Sequence, residues 1–193
     1  PIPAVFDKHR NTPGVEFLQQ RKAMLDKVEN KIVHELVKEL DGDPRARPQS
    51  FPNRVLLEQR ARSALIQTLD ELHRAEPSAD VKLRLSEQDL EGLIGTDASA
   101  RVLQFFGGPF DTIKLRRVEA HDSNHCIAFH TDYSYRTMQI PLNSADQYCG
   151  GNLLFATAAG FVQPERIAGT PIIHSKNTVH GVTALTSGVR YSL

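Results

Sequence analysis

From Thr112 to Leu193 the chain breaks into seven short strand-like stretches, at 112–119, 125–132, 135–142, 152–156, 170–174, 179–185 and 189–193, with turn residues between them and no helical periodicity. A parallel sheet needs a crossover of a dozen or more residues, usually a helix, between successive strands. None of these gaps carries a helical pattern. The pattern therefore excludes a doubly wound α/β fold and predicts an antiparallel sandwich or barrel.

The first part of the chain reads differently. Between residues 15 and 40 the apolar side chains Phe17, Leu18, Leu25, Val28, Ile32, Val33, Leu36 and Leu40 recur at three- and four-residue steps, which predicts an amphipathic helix. Asp41-Gly42-Asp43-Pro44 stops it, and residues 45–52 read as a proline-rich loop. A second helix is expected from about Asn53, as N-cap, to Glu76-Pro77. Residues 81–85 alternate as a strand does, Ser86 to Asp89 has the spacing of a capping box before a short helix ending near Gly92 or Gly95, and Gly107-Gly108-Pro109 reads as a turn. The whole, 1–193, is expected to be one α+β domain, mainly β, with 1–80 as helical support and 81–193 as the β-rich core.

At 193 residues such a chain buries enough surface for one core without disulfides. Its two cysteines, Cys126 and Cys149, lack zinc-ribbon spacing and read as reduced core thiols. Lys plus Arg and Asp plus Glu both number 23, so no basic footprint suggests a nucleic-acid partner. No apolar run is long enough to span a membrane and the start lacks a signal-peptide layout, so no membrane is expected. The compartment stays open, with the cytoplasm slightly favoured, and oligomeric state is not legible. Neither Gly-x-Ser-x-Gly nor His-Glu-x-x-His occurs, which removes the simplest routes to a serine hydrolase or a zinc protease.

The chemistry-bearing pattern is His130-Thr131-Asp132. Side chains at i and i+2 of a strand share a face, so an imidazole and a carboxylate can converge on one ion. A third ligand must come from another strand, and His180 is the best placed. Two imidazoles and a carboxylate leave about three open positions on an octahedral iron. Thr186-Ser187-Gly188 reads as a hairpin turn that would set the strands of His180 and Arg190 side by side and point Arg190 at the metal. A buried guanidinium with no protein partner calls for an exogenous anion, and a dicarboxylate gripped by Arg190 and the Ser192 hydroxyl would satisfy it.

In these residues the chain resembles the iron(II)- and 2-oxoglutarate-dependent dioxygenases, in their prolyl-4-hydroxylase-like branch. The likeness covers about residues 112–193. It rests on His130-x-Asp132, the strand ending Ile140-Pro-Leu-Asn143, Gly150-Gly151-Asn-Leu-Leu-Phe155, Gly169-Thr-Pro-Ile-Ile173, His180, and the basic Arg190 ten positions later. The resemblance implies a double-stranded β-helix, a jelly-roll or cupin-like core, with the helices packed on one sheet. It implies Fe(II) held by His130, Asp132 and His180, and 2-oxoglutarate bound to the iron with its far carboxylate on Arg190 and Ser192. The implied reaction consumes O2, releases succinate and CO2, and hydroxylates an aliphatic carbon of a peptide side chain, prolyl-like, or of an amino acid or small metabolite. Related halogenases replace this carboxylate with a small residue, so the resemblance, with Asp132 in place, disfavours halogenation.

The chain departs from the family at several positions. Counting back from His130 to the family's cosubstrate tyrosine gives His121, or Val118 if an insertion is allowed. Collagen-type enzymes carry lysine in place of Arg190 and glutamate in place of Asn152. His121 and His125 read as substrate-side groups or as polar residues at a strand entrance, His174 as a structural histidine, and Tyr133 and Tyr135 as packing residues or lining for the substrate opening. Two rival readings are a nucleic-acid demethylase of the same superfamily, whose further arginine beyond Arg190 would fall past Leu193, and a non-catalytic cupin-like module that binds metal or ligand.

Overall fold

The structure is a computed structural model and describes residues 48–108, 110–120, 126–157 and 160–193. The helix expected at 15–40, and His121 and His125, lie outside the described residues. The elements run β1 (Gln49–Ser50), α1 (Gln59–Ala75), β2 (Asp80–Leu85), α2 (Glu87–Ile94), α3 (Thr96–Phe106), β3 (Ile113–Glu119), β4 (Ile127–His130), β5 (Arg136–Gln139), a 3₁₀ turn (Ala145–Gln147), β6 (Tyr148–Gly150), β7 (Leu153–Thr157), β8 (Gly160–Val162), β9 (Ile172–Ser175), β10 (His180–Val182) and β11 (Leu185–Ser192).

All strand pairings are antiparallel, in the orders β1-β9-β5, β4-β10-β7-β8 and β2-β3-β11-β6. The residues after β5 join the first and third groups. Pro141 bridges Ser192, while Ile140 and Leu193 exchange N–H···O bonds of 2.7 and 3.0 Å. One broad sheet therefore faces the β4-β10-β7-β8 sheet, and a single cavity takes lining residues from both.

Strand β3 shows why the helices sit outside. Ile113 and Leu115 are buried in a core with Leu57, Leu65 and Leu69 of the α1 region and Leu90 of α2, while Lys114 and Arg116 turn to the cavity. Polar contacts fix the same face: Asp70 of α1 accepts from Arg117 Nε at 3.3 Å and from the Tyr191 hydroxyl at 2.6 Å. A smaller core of Leu153, Phe155 and Ile172 lies between the sheets.

Several expectations are corrected. The second helix starts at Gln59 rather than near Asn53, because the N–H groups of Leu56 and Leu57 both donate to the Gly169 carbonyl, at 2.9 and 3.2 Å. That tertiary pairing holds the backbone out of helix. From α1, Arg62 donates to the Leu142 carbonyl at 2.9 Å. Within the proline-rich loop, Gln49–Ser50 forms an edge strand on β9. The Ser86–Asp89 capping box is present and Gly95 closes α2 as expected. Helix α3 follows immediately, so helices extend to Phe106, where left-handed Gly107 caps it. Cys126 and Cys149 are exposed free thiols rather than core residues.

The His180–Arg190 hairpin is absent. Residues 185–192 form one strand, β11, paired with β3 and β6, whereas β10 lies in the opposite sheet between β4 and β7.

Candidate active site

His130 ends β4, His180 begins β10, and the two are direct cross-strand partners. Their rings lie 4.4 Å apart. Each ring is held the same way: His130 Nδ1 faces the Ala128 carbonyl at 2.9 Å, and His180 Nδ1 faces the Thr178 carbonyl at 3.0 Å. A proton on Nδ1 satisfies both bonds and leaves each Nε2 a lone pair for a metal.

Asp132 follows two residues after β4 ends, and its Oδ1 stands 3.5 Å from His130 Nε2 and 3.7 Å from His180 Nε2. One ligand atom from each of the three residues falls within 4.8 Å of the others. Ligands about 2.1 Å from an ion and at right angles to each other lie about 3 Å apart, so this spacing suits a facial triad. Burial lowers the proton affinity of His180, which favours the neutral, ligating imidazole. The His180 side chain is 5% exposed and that of His130 is 42%, so the cluster is open on the β4 side. Two neutral imidazoles and one carboxylate fit Fe(II) with open positions.

The cluster opens into a cavity of about 460 Å³, within the size range of small-molecule sites. Arg190 and Ser192 line the same cavity from the opposite sheet. The hairpin argument for Arg190 therefore fails, and it is two facing sheets that bring His180 and Arg190 to one cavity. Arg190 is buried, and its Nε has no hydrogen-bond partner. Burial, reinforced by neighbouring Arg166, pulls its guanidinium well below the ordinary range, to about 9. Arg116, which also lines the cavity, is neutralised by Asp80 through bonds of 2.8 and 2.9 Å. Arg190 thus offers an incoming anion a desolvated, under-compensated cation.

Two residues that the sequence did not single out, Tyr148 and Thr137, join others in the surroundings. Tyr148 of β6, buried beside Arg190 and Arg166, offsets part of the cost of burying the two guanidinium groups. Val118, one of the two positions counted for a cosubstrate tyrosine, is the apolar cross-strand neighbour of Arg190. Thr137 donates to Asp132 Oδ2 at 2.5 Å. His174, read as a structural histidine, has its Nε2 3.8 Å from that same oxygen. The one sequence signal for His174 is a lone imidazole in an apolar strand, after Ile172-Ile173. Tyr133 lines the cavity, and both Tyr133 and Tyr135 are exposed rather than packed.

No protein-family model and no curated protein sequence matches the chain. Solved structures do. A prolyl hydroxylase from Trichoplax adhaerens, in complex with a hypoxia inducible factor peptide fragment, aligns with a TM-score of 0.59 at 13% identity, over 87% of this chain and 90% of that one. The non-heme α-ketoglutarate-dependent carbocyclase SnoK of nogalamycin biosynthesis aligns with a TM-score of 0.57 at 15% identity, over 77% of this chain and 78% of that one. The viral collagen prolyl hydroxylase of Paramecium Bursaria Chlorella virus-1, in its 2OG complex, aligns with a TM-score of 0.56 at 12% identity, over 75% of this chain and 91% of that one. The shared fold is the double-stranded β-helix expected from the sequence. Among the described residues no helix is long and apolar enough to cross a membrane.

Proposed function

We propose that this chain is an Fe(II)- and 2-oxoglutarate-dependent dioxygenase that hydroxylates an aliphatic carbon of a peptide side chain, prolyl-like, or of an amino acid or small metabolite. The observation that carries the reading is the sharing of one cavity by two separate features: the His130-Asp132-His180 cluster with both imidazole tautomers set for ligation, and Arg190, buried without an anion. Either feature alone has ordinary explanations, but together they match what a metal-chelating dicarboxylate requires.

On this reading His130 Nε2, Asp132 Oδ1 and His180 Nε2 hold the iron. Arg190 pairs with the far carboxylate of 2-oxoglutarate, Ser192 donates to it, and Tyr148 steadies the guanidinium in place of the family tyrosine. The bound iron and cosubstrate supply oxidative decarboxylation to succinate and CO2 coupled to C–H hydroxylation. The apolar sheet interior behind His180, formed by Leu153 and Phe155, excludes water from one side of the centre.

The test is turnover of 2-oxoglutarate to succinate by purified protein with Fe(II) and O2, beside Asp132→Ala. Succinate formation that needs all three components and disappears in the variant is expected. A protein that binds metal and 2-oxoglutarate yet consumes no oxygen under a broad substrate screen is a binding module, and the enzymatic reading is then wrong.

A further inference from the structure

The two oxygens of Asp132 face different surroundings. Oδ1 faces the Nε2 atoms of His130 and His180, at 3.5 and 3.7 Å. Oδ2 accepts from Thr137 Oγ1 at 2.5 Å and has a third imidazole beyond it, His174 Nε2, at 3.8 Å. Thr137 and His174 are cross-strand partners of β5 and β9, so their side chains rise from one face and converge on the same oxygen.

Packing alone does not call for an imidazole here. The His174 side chain is 0% exposed, with its ring edge-on to Phe155 at 5.4 Å and 4.2 Å from that of His180. Its Nε2 has no hydrogen-bond partner. A buried polar atom left unpaired costs about 1–3 kcal/mol, and a phenylalanine ring would occupy the site without that cost. The nitrogen nearest to a use for its proton is the one 3.8 Å from a carboxylate, about 1 Å beyond a hydrogen bond. A neutral His174 ring carries a single N–H. Its Nδ1 contact, the Ser175 carbonyl at 3.5 Å, is at the outer limit of a hydrogen bond and leaves the choice of tautomer to Asp132.

We propose that His174 is a positioning residue for the metal centre: its Nε2–H, together with the Thr137 hydroxyl, holds Oδ2 of Asp132, so that the carboxylate ligates through Oδ1 alone. This rests on the metal site proposed above. His174 acts through Asp132, since the described residues whose ligand atoms come mutually within 4.8 Å are His130, Asp132 and His180. A carboxylate free to turn would chelate through both oxygens and occupy one more position of the octahedron. Holding Oδ2 keeps that position for cosubstrate or oxygen.

The experiment titrates metal-free, full-length protein with Co(II), followed by calorimetry and visible absorption, for wild type, His174→Phe and His174→Gln. Loss of an outer partner of a metal ligand typically weakens binding about 10- to 100-fold, so His174→Phe is expected to lose that much while its metal-free melting temperature holds or rises. His174→Gln, which restores an N–H near the Nε2 position, is expected to recover to within about fivefold of wild type. In the Zn(II)-loaded wild type, long-range ¹H–¹⁵N correlation is expected to show His174 protonated on Nε2. Co(II) affinity of His174→Phe within about threefold of wild type, a glutamine variant no better than phenylalanine, or a proton on Nδ1 in the wild type each overturns the proposal. The tautomer measurement needs no variant and decides alone if His174→Phe does not fold. Wild type that takes up no Co(II) refutes the metal site itself, whereas a binding wild type beside an indifferent His174→Phe refutes only the role of His174.

Discussion

Arg190→Met is expected to change sign with the cosubstrate. Arg190 is buried, its Nε is unpartnered, and burial pulls its guanidinium well below the ordinary range, to about 9. At about 1.4 kcal/mol per decade of proton affinity, that fall corresponds to roughly 5 kcal/mol of unfavourable charge burial. Part of it comes from Arg166, which stays in the variant, and methionine gives up the favourable interaction with Tyr148. The net gain for the ligand-free protein is therefore expected at about 1–4 kcal/mol, as when other buried charges are replaced by apolar side chains of similar volume. For a chain of this length that raises the melting temperature by about 3–10 °C.

Added 2-oxoglutarate reverses the order. At about a hundred times its Kd it stabilises the wild type by about 2.7 kcal/mol, and the variant, lacking the cation, gains almost nothing. Thermal unfolding of Zn(II)-loaded protein with and without 2-oxoglutarate checks both halves. An Arg190→Met protein that melts below the wild type without cosubstrate, or that keeps the cosubstrate-induced rise, refutes the account of Arg190 as an anchor waiting for an anion.

Three further outcomes follow from the same geometry. Burial alone would raise Asp80, but hydrogen bonds from Arg116 and Lys82 outweigh it and hold the carboxyl down to about 2; its stabilisation is thus full above about pH 4 and lost as pH falls toward 2, and Asp80→Asn should flatten that acid-side slope by about 1 kcal/mol in urea titrations. Asn143 donates to the Val189 carbonyl and accepts from the Tyr191 N–H, both at 2.9 Å, clamping the backbone on either side of Arg190; Asn143→Leu should cost about 2–4 kcal/mol in urea unfolding and also weaken 2-oxoglutarate binding. A Cβ on Gly181 would lie 2.9 Å from the Ile127 carbonyl and force β10 from β4, so Gly181→Ala should separate His180 from His130 and lower Co(II) affinity about tenfold or more, measured by calorimetry.

The clustering of His130, Asp132 and His180 was legible because each part of it is local. A His-x-Asp at a strand end, and a histidine at the start of another strand, need only the period of two to be placed. The surroundings were not legible, because they depend on which strands meet. Thr137 and His174 are 37 residues apart, and only the β5–β9 register makes them neighbours on one carboxylate oxygen. Tyr148 reaches Arg190 through the β6–β11 pairing, which counting upstream from His130 could not reveal. Helix α3 went unread for a related reason: it begins one residue after left-handed Gly95 closes α2, so a stop signal and a start signal share that residue.

The misread hairpin leads to a sharper test, because Gly188 is a glycine for a reason other than a turn. In a two-residue hairpin turn a glycine at positive φ is interchangeable with asparagine, at a cost of a few tenths of a kcal/mol. Gly188 has φ +79 but lies within β11 opposite Tyr148, where a Cβ would collide with the Gln147 carbonyl oxygen and stand 2.8 Å from Tyr148 Cα. Both obstacles belong to the backbone, which cannot rotate aside as a side chain does. Asparagine satisfies the dihedral angle but not the space, so Gly188→Asn should cost about 1–3 kcal/mol, the usual range for overpacking, despite the exposure of the site. It should also weaken 2-oxoglutarate binding, since β6 carries Tyr148 and β11 carries Arg190. Urea unfolding of Gly188→Asn beside Gly188→Ala separates the two accounts: near-native stability of the asparagine variant with a marked loss for alanine is the signature of a turn, and would mean that β11 does not run unbroken past β6.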